Sequence, residues 1–232
     1  MNGISVIIPA YNASAYLAEA LESVRAQTIQ PDEIIVVDNA STDGTGELAL
    51  NLGVRLEREH QQGAAHARNR GIAAAKGDLL AFLDADDQWL PDKLALQSRA
   101  FREDPGLDAV FGMLAQFISP ELTPEEASGI HCPVEASPAR LPSIMLAKRD
   151  VFERFGLFST RWKRAEAVEW IVRAEGMGLR HAVPPHVMAR RRLHGNNVGM
   201  RLREYNTEYL TIIRENMLRR RAAESPASES RA

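Results

Sequence analysis

Residues 78–87, Asp78-Leu79-Leu80-Ala81-Phe82-Leu83-Asp84-Ala85-Asp86-Asp87, pass from an unbroken apolar run straight into three carboxylates. The run is too short for a helix and apolar on both faces, the pattern of a strand covered on both sides of a parallel sheet. Working outward, three more strands precede it. Ile4-Ser5-Val6-Ile7-Ile8 ends at Pro9, Glu33-Ile34-Ile35-Val36-Val37-Asp38 follows, and Val54 to Arg58 is the third. Between the first two, Leu17, Ala20, Leu21 and Val24 recur at helical spacing, with Ser14 as a candidate N-cap and Pro31 beyond the end. A short helix is expected over 45–52 and an alanine-rich one from Ala64 to Ala75. Strands alternating with helices predict an α/β protein, a three-layer αβα unit with a mainly parallel central sheet.

Beyond Asp84 the pattern loosens. A helix is expected from Pro91 to Glu103 and a strand over Asp108–Phe117. Residues 119–140, with Pro120, Pro124, Gly129, Pro133 and Pro138, have no dominant period and are expected to form a long irregular insertion, a candidate mobile or binding loop. Helical signals return at Arg149–Phe155, Ala165–Glu175 and Tyr205–Arg221. The expected organisation is one unit over 1–221, with halves at 1–103 and 104–200, a basic helix over 201–221 and a disordered tail over 222–232.

The 232 residues are 45% hydrophobic and 25% charged, enough for one substantial core without disulfides or a structural metal. A single cysteine, Cys132, and a start without a basic n-region predict a protein of a reducing, cytoplasmic compartment, with neither signal peptide nor membrane anchor. The net charge of -3 conceals an asymmetry. Residues 1–97 hold 7 basic and 14 acidic side chains, whereas residues 190–221 hold 9 basic and 3 acidic. Such segments can meet around a polyanion, carboxylates holding a cation and arginines facing phosphate.

In an open parallel sheet, ligands gather outside the carboxyl ends of the strands, where loops and helix N-termini present unpaired N–H groups. The polar residues there are Pro9-Ala10-Tyr11-Asn12, Asp38 to Gly44, and Asp84-Ala85-Asp86-Asp87. No G-x-x-x-x-G-K-[ST] and no G-x-G-x-x-G after the first strand is present, which disfavours P-loop NTPases and ordinary dinucleotide-binding dehydrogenases. A diphosphate can instead be held through a divalent cation. Asp84 and Asp86 on a sharp turn suit Mg²⁺ or Mn²⁺ and leave positions for phosphate oxygens and water. The plainer alternative is that Asp86 or Asp87 caps the helix entering at Trp89-Leu90-Pro91.

Ser5-Val6-Ile7-Ile8-Pro9-Ala10-Tyr11-Asn12, the Val36 to Thr45 turn, Ala67-Arg68-Asn69-Arg70-Gly71 and Leu83-Asp84-Ala85-Asp86-Asp87, in that order over residues 4–103, resemble the family 2 glycosyltransferases of GT-A fold. The resemblance implies an inverting transferase using a nucleotide-diphosphate sugar with Mn²⁺ or Mg²⁺. It further implies that Pro9 to Asn12 and Asp38 embrace the nucleoside, that Arg68 lies beside base or phosphate, that Asp84 with Ala85 approaches the ribose, and that Asp86 binds the metal.

The later chain resembles the family more thinly. Arg164-Ala165-Glu166-Ala167-Val168-Glu169-Trp170 aligns with a helix start that usually carries Glu-Asp, the Asp being the general base; here Ala167 occupies that position. Glu166 and Glu169, i and i+3 on one helical face, are the substitutes, either able to take the acceptor proton. The competing reading is a solvated pair bonding Arg164 or Arg173. Arg190-Arg191-Arg192-Leu193-His194-Gly195-Asn196-Asn197 resembles the family's late Arg-x-His-x-x-Asn segment. His194 is expected to complete the metal shell and Arg192 to meet the departing diphosphate.

A second hypothesis is a nucleotide-sugar-binding protein without transferase activity, motivated by Ala167. A sugar nucleotidyltransferase lacks its glycine-rich basic loop here, and a nucleic-acid role lacks an extended basic surface with interleaved aromatics. The acceptor, whether saccharide, peptide, lipid-linked or small molecule, is not specified by the sequence. A peripheral membrane contact through the Arg-rich final helix is weighed against docking of that helix on the sheet.

Overall fold

The computed structural model describes residues 3–195 and 206–224, with side chains of the last helix described over 208–218. Asn196, Asn197, the side chains of Arg219 to Arg221 and the tail beyond Glu224 lie outside the described residues. The elements run β1 (Ile4–Ala10), α1 (Leu17–Arg25), β2 (Glu33–Asp38), α2 (Thr45–Asn51), β3 (Arg55–Arg58), α3 (Ala64–Ala74), β4 (Leu79–Phe82), β5 (Gln88–Trp89) and α4 (Lys93–Glu103). They continue with β6 (Ala109–Val110), β7 (Gly112–Ile118), α5 (Pro124–Ser128), β8 (Ser137–Ala139), β9 (Leu146–Lys148), α6 (Val151–Arg154), α7 (Glu166–Gly176), β10 (His181–Ala182), β11 (Val187–Leu193) and α8 (Asn206–Glu224).

The main sheet has the order β10-β6-β9-β4-β1-β2-β3. β1 pairs in parallel with β2 and β4, and β2 with β3, while β9 enters antiparallel between β4 and β6. Val6, Ile7 and Ile8 on β1 and Ile35, Val36 and Val37 on β2 are all fully buried. Consecutive buried residues mean that both faces of the sheet are covered, as the apolar runs predict. The fold is therefore mixed α/β with a mainly parallel central sheet. Helix α3 approaches that sheet so closely that a Cβ on Gly71 would stand 2.3 Å from Ile7 Cγ2, which is why a glycine occupies the end of the Ala67–Gly71 motif.

A second sheet, β5-β11-β7-β8, flanks the first. The expected strand over 108–117 is divided between the two sheets. β6 pairs in the main sheet and β7 in the second, with the fully buried Phe111 at the crossing. The reason is packing from far along the chain: a Cβ on Gly112 would lie 2.6 Å from Met188 Sδ on β11. Two further expectations shift. Ser14 does not cap α1: the helix begins at Leu17 with Tyr16 at the capping position and no side-chain cap, and the Ser14 N–H instead donates to Asp43 Oδ2 at 2.9 Å. The irregular stretch 119–140 contains α5, closed by a Thr123–Glu126 capping box with Pro124 at its first turn, and the short strand β8.

Candidate functional site

The loops that leave β1 and β2 are fastened to each other. Asn12 donates its N–H to Ser41 Oγ at 3.0 Å and accepts from the Thr42 N–H at 2.8 Å. Asp38 Oδ1 accepts from the Ser41 N–H at 3.0 Å, and Tyr11 is exposed beside Asn12. Asn12 and Ala40 both adopt positive φ, 48° and 60°, an uncommon conformation for residues with a Cβ that concentrates at functional loops. Burial works against the Asp43 carboxylate, but hydrogen bonds from Thr45 and Ser14 outweigh it and bring Asp43 down to about 2. Pro9 and Ala10 form the end of β1 beneath this pair of loops.

Asp84 lies just past β4. Arg68, on α3 and buried, donates from Nη2 to Asp84 Oδ1 at 2.9 Å and from Nη1 to Glu166 Oε1 at 2.7 Å. The structure thus brings Arg68, Asp84 and Glu166 together, joining the strand end to the start of α7. Arg68 Nε and Glu166 Oε2 are buried with no hydrogen-bond partner among the described residues. Next to Arg68, Asn69 exchanges hydrogen bonds with the backbone of Phe158 at 2.8 and 3.0 Å, anchoring the 156–158 segment to α3. Sequence reasoning quoted Asn69 but gave it no task, since its partner is 89 residues away.

Glu169 stands one turn further along α7 and is held by Arg173, Nε to Oε1 at 2.8 Å and Nη2 to Oε2 at 3.2 Å. Arg173 also donates to the carbonyls of Phe155 and Leu157. The competing reading holds for Glu169 in its partner, since it bonds Arg173, but not in its solvation, since both glutamates are buried.

Asp86 and Asp87 do not cap α4, whose N-cap is Asp92 without a side-chain bond. Asp86 Oδ2 is 3.1 Å from His194 Nε2, and the His194 ring stacks at 4.8 Å on Tyr16. Asp87 is buried and accepts from the Arg192 N–H at 3.1 Å; burial, reinforced by Asp86 and Asp84, pushes its carboxyl well above the usual range. Arg192 is 1% exposed, and its charge is spent inside the protein on Glu19, Ser119 and the Asp86 carbonyl. Glu121, from the stretch after β7, accepts from Ser119 and from Tyr16 at 2.6 Å; those bonds bring it to about 2, and burial together with Glu121 pushes Tyr16 up to about 12.

The donor atoms at Asp86 and His194 are one carboxylate oxygen, which suits Mn²⁺ or Mg²⁺, and one imidazole nitrogen, which favours a transition ion over Mg²⁺. Among the described residues no group of three or more His, Cys, Asp and Glu side chains forms a ready-made cage. Two protein donors would leave the remaining positions of an ion to a bound phosphate and water.

A model of glycosyl transferase family 2 matches residues 5–155, the stretch that contains β1 to α6 and both strand-end loops. The chain belongs to this family. A relative, glycosyltransferase GlyG of Streptococcus pneumoniae, is 42% identical over 90 residues, which are 36% of this chain and 30% of that protein. The teichuronic acid biosynthesis glycosyltransferase TuaG of Bacillus subtilis, a putative assignment in its own name, is 42% identical over 100 residues, covering 40% of each. The chain spans less than half the length of these curated relatives. Among solved structures, S. aureus TarS 1-349 in complex with UDP-GlcNAc superposes with a TM-score of 0.66 at 20% identity over 85% of this chain and 60% of that one. A mannosyltransferase of Pyrobaculum calidifontis in complex with GDP-Man and Mn²⁺ gives 0.61 at 26% identity over 86% and 59%.

Proposed function

We propose that this protein is an inverting glycosyltransferase that moves a sugar from a nucleotide-diphosphate donor to an acceptor hydroxyl with the help of a divalent cation. The observation that carries the reading is the meeting of Asp86 Oδ2 and His194 Nε2, 3.1 Å apart, beyond the carboxyl end of β4 and beside the fastened loops of β1 and β2. The family membership and the GDP-Man and Mn²⁺ held by one structural neighbour support it.

In this reading residues 1–103 form the donor half and 104–200 the acceptor side. Pro9, Ala10, Tyr11, Asn12 and Asp38 receive the nucleoside, while Asp84 and Ala85 face the ribose. Arg68 serves this pocket by holding Asp84 rather than by touching phosphate. Asp86 and His194 hold the cation, which when bound neutralises charge on the departing diphosphate. Glu166 is the general base: both oxygens of Glu169 are bonded to Arg173, whereas Glu166 Oε2 has no partner among the described residues. That carboxylate, beside Ala167, weighs against the binding-only alternative.

The outer face of α8 supports a peripheral contact with an anionic membrane. Leu210, Ile213, Arg214 and Met217 are exposed together, while Glu208 and Glu215 are turned inward onto the 163–165 backbone and Arg161. Among the described residues no helix is long and apolar enough to cross a membrane. Sedimentation with anionic but not zwitterionic vesicles is the expected result.

The test of the main reading is calorimetry with UDP-, GDP- and dTDP-sugars, with Mn²⁺ and with EDTA, followed by release of nucleoside diphosphate. Metal-dependent binding of at least one donor is expected. No binding of any nucleotide under either condition would sink the proposal.

A further inference from the structure

Arg192 belongs to β11, and its position in a basic run led the sequence reading to place it on the donor diphosphate. The fold gives it other work. Its Nε donates to the carbonyl oxygen of Asp86 at 3.1 Å, its Nη1 to Ser119 Oγ at 3.0 Å, and its Nη2 pairs with Glu19. The backbone N–H of the same residue donates to Asp87 Oδ1 at 3.1 Å. The guanidinium carbon lies 5.0 Å from the ring centre of Tyr16 and 4.8 Å from that of Phe117.

We infer that Arg192 is a positioning residue for the cation site: it fixes the Asp84–Asp87 turn through the Asp86 carbonyl and the Asp87 carboxylate, so that the Asp86 side chain faces His194. The inference rests on the donor-and-metal reading above and assigns Arg192 no contact with the diphosphate.

Three carboxylates within four residues repel one another and would splay the turn. Arg192 opposes this with main-chain and side-chain bonds to two successive residues of the turn, and its charge is 1% exposed and therefore little screened. His194 follows two residues later, just past the end of β11, and both side chains meet the Tyr16 ring, His194 at 4.8 Å and Arg192 at 5.0 Å. One strand end thus supplies both a ligand and the clamp that aims the other ligand. Three acceptors in different directions suit a planar fork and not an ammonium, so lysine is an inadequate replacement.

The experiment compares wild type, Arg192→Lys, Arg192→Gln and Glu19→Gln. UDP and GDP binding is measured in EDTA and during a Mn²⁺ titration, and bound Mn²⁺ is followed by its paramagnetic resonance signal. Nucleotide affinity in EDTA is expected to stay within about twofold of wild type, because outer partners of a ligand act on the metal. The Mn²⁺ needed for half-maximal binding should rise roughly 10–100-fold in both Arg192 variants. Glu19→Gln, whose side chain is half exposed, should shift it in the same direction by less and keeps the test open if an Arg192 variant fails to fold.

Equal loss of nucleotide affinity with and without Mn²⁺ would make Arg192 a diphosphate ligand and overturn the inference. So would an unchanged Mn²⁺ requirement in both Arg192→Lys and Glu19→Gln. A wild-type protein that binds neither nucleotide under any condition removes the donor reading, and this inference with it.

Discussion

Arg68 Nη1 lies 2.7 Å from Glu166 Oε1, and both side chains are buried, so the acidic residue beside Ala167 is gripped by a fixed positive charge on the opposite helix. Breaking a buried pair from one side leaves the other charge uncompensated, at a cost of about 3–5 kcal/mol. Arg68→Met is therefore expected to lower the melting temperature markedly, and adding Glu166→Gln to it should recover part of the loss. Thermal unfolding of the single and double variants measures this, and a single variant as stable as wild type would show that the pair carries no weight.

Glu166 and Glu169 should separate in kinetics. Glu166→Gln is expected to reduce sugar transfer by roughly 10²–10⁴-fold, the usual contribution of acid–base catalysis, with donor binding retained. Glu169→Gln loosens Arg173 from the 155–157 carbonyls and should act mainly on stability. Transfer rates beside nucleotide titrations distinguish the two; the reverse pattern would move the base to Glu169.

Asp86→Asn should abolish the Mn²⁺ dependence of nucleotide binding without destabilising the fold. It removes one of the charges that press on Asp87, so the melting temperature should hold or rise. A parallel EDTA titration of wild type should reproduce the same loss of binding.

Gly71→Ala places a methyl group where Ile7 already stands. Overpacking of this kind costs about 1–3 kcal/mol. Urea unfolding should show the loss, and Ile7→Val in the same chain should relieve some of it.

Acid should loosen the loop pair beyond β1 and β2. Asp43 is held near 2 in the folded protein, below its ordinary value of 3.8, so the folded state binds fewer protons than the unfolded one between those values. Its contribution is complete above about pH 4 and is lost as pH falls through about 2. Asp43→Asn should flatten the decline in melting temperature over that interval.

The N-terminal half was legible because its strands are apolar on both faces and its helices keep the 3.6-residue period; Val6, Ile7 and Ile8 form an unbroken apolar run. Asp84 and Asp86 were legible as strand-end carboxylates for the same reason. The Thr123-Pro124-Glu125-Glu126 start of α5 was also written locally, but the surrounding prolines masked it. What escaped depends on partners remote in sequence. Ser14 reads as a cap, but it belongs to the loop held by Asp43 and the helix starts only at Leu17. The break at Phe111 and Gly112 requires Met188. Arg192 looks like a phosphate ligand until Glu19, Ser119 and the Asp86 carbonyl close around it, partners up to 173 residues distant.

The distance along the chain between Asp86 and His194, 108 residues, has a consequence for biosynthesis. Chains emerge from the ribosome N-terminus first at about 5–20 residues per second, so the carboxylate turn waits roughly 5–20 s for its imidazole partner and its arginine clamp. During that interval the nascent chain carries an unneutralised acidic corner and the unpaired edge of β7. The contact between Asp86 and His194 therefore forms only after β11 has emerged, and shortened products ending before β11 would be chains without that pair.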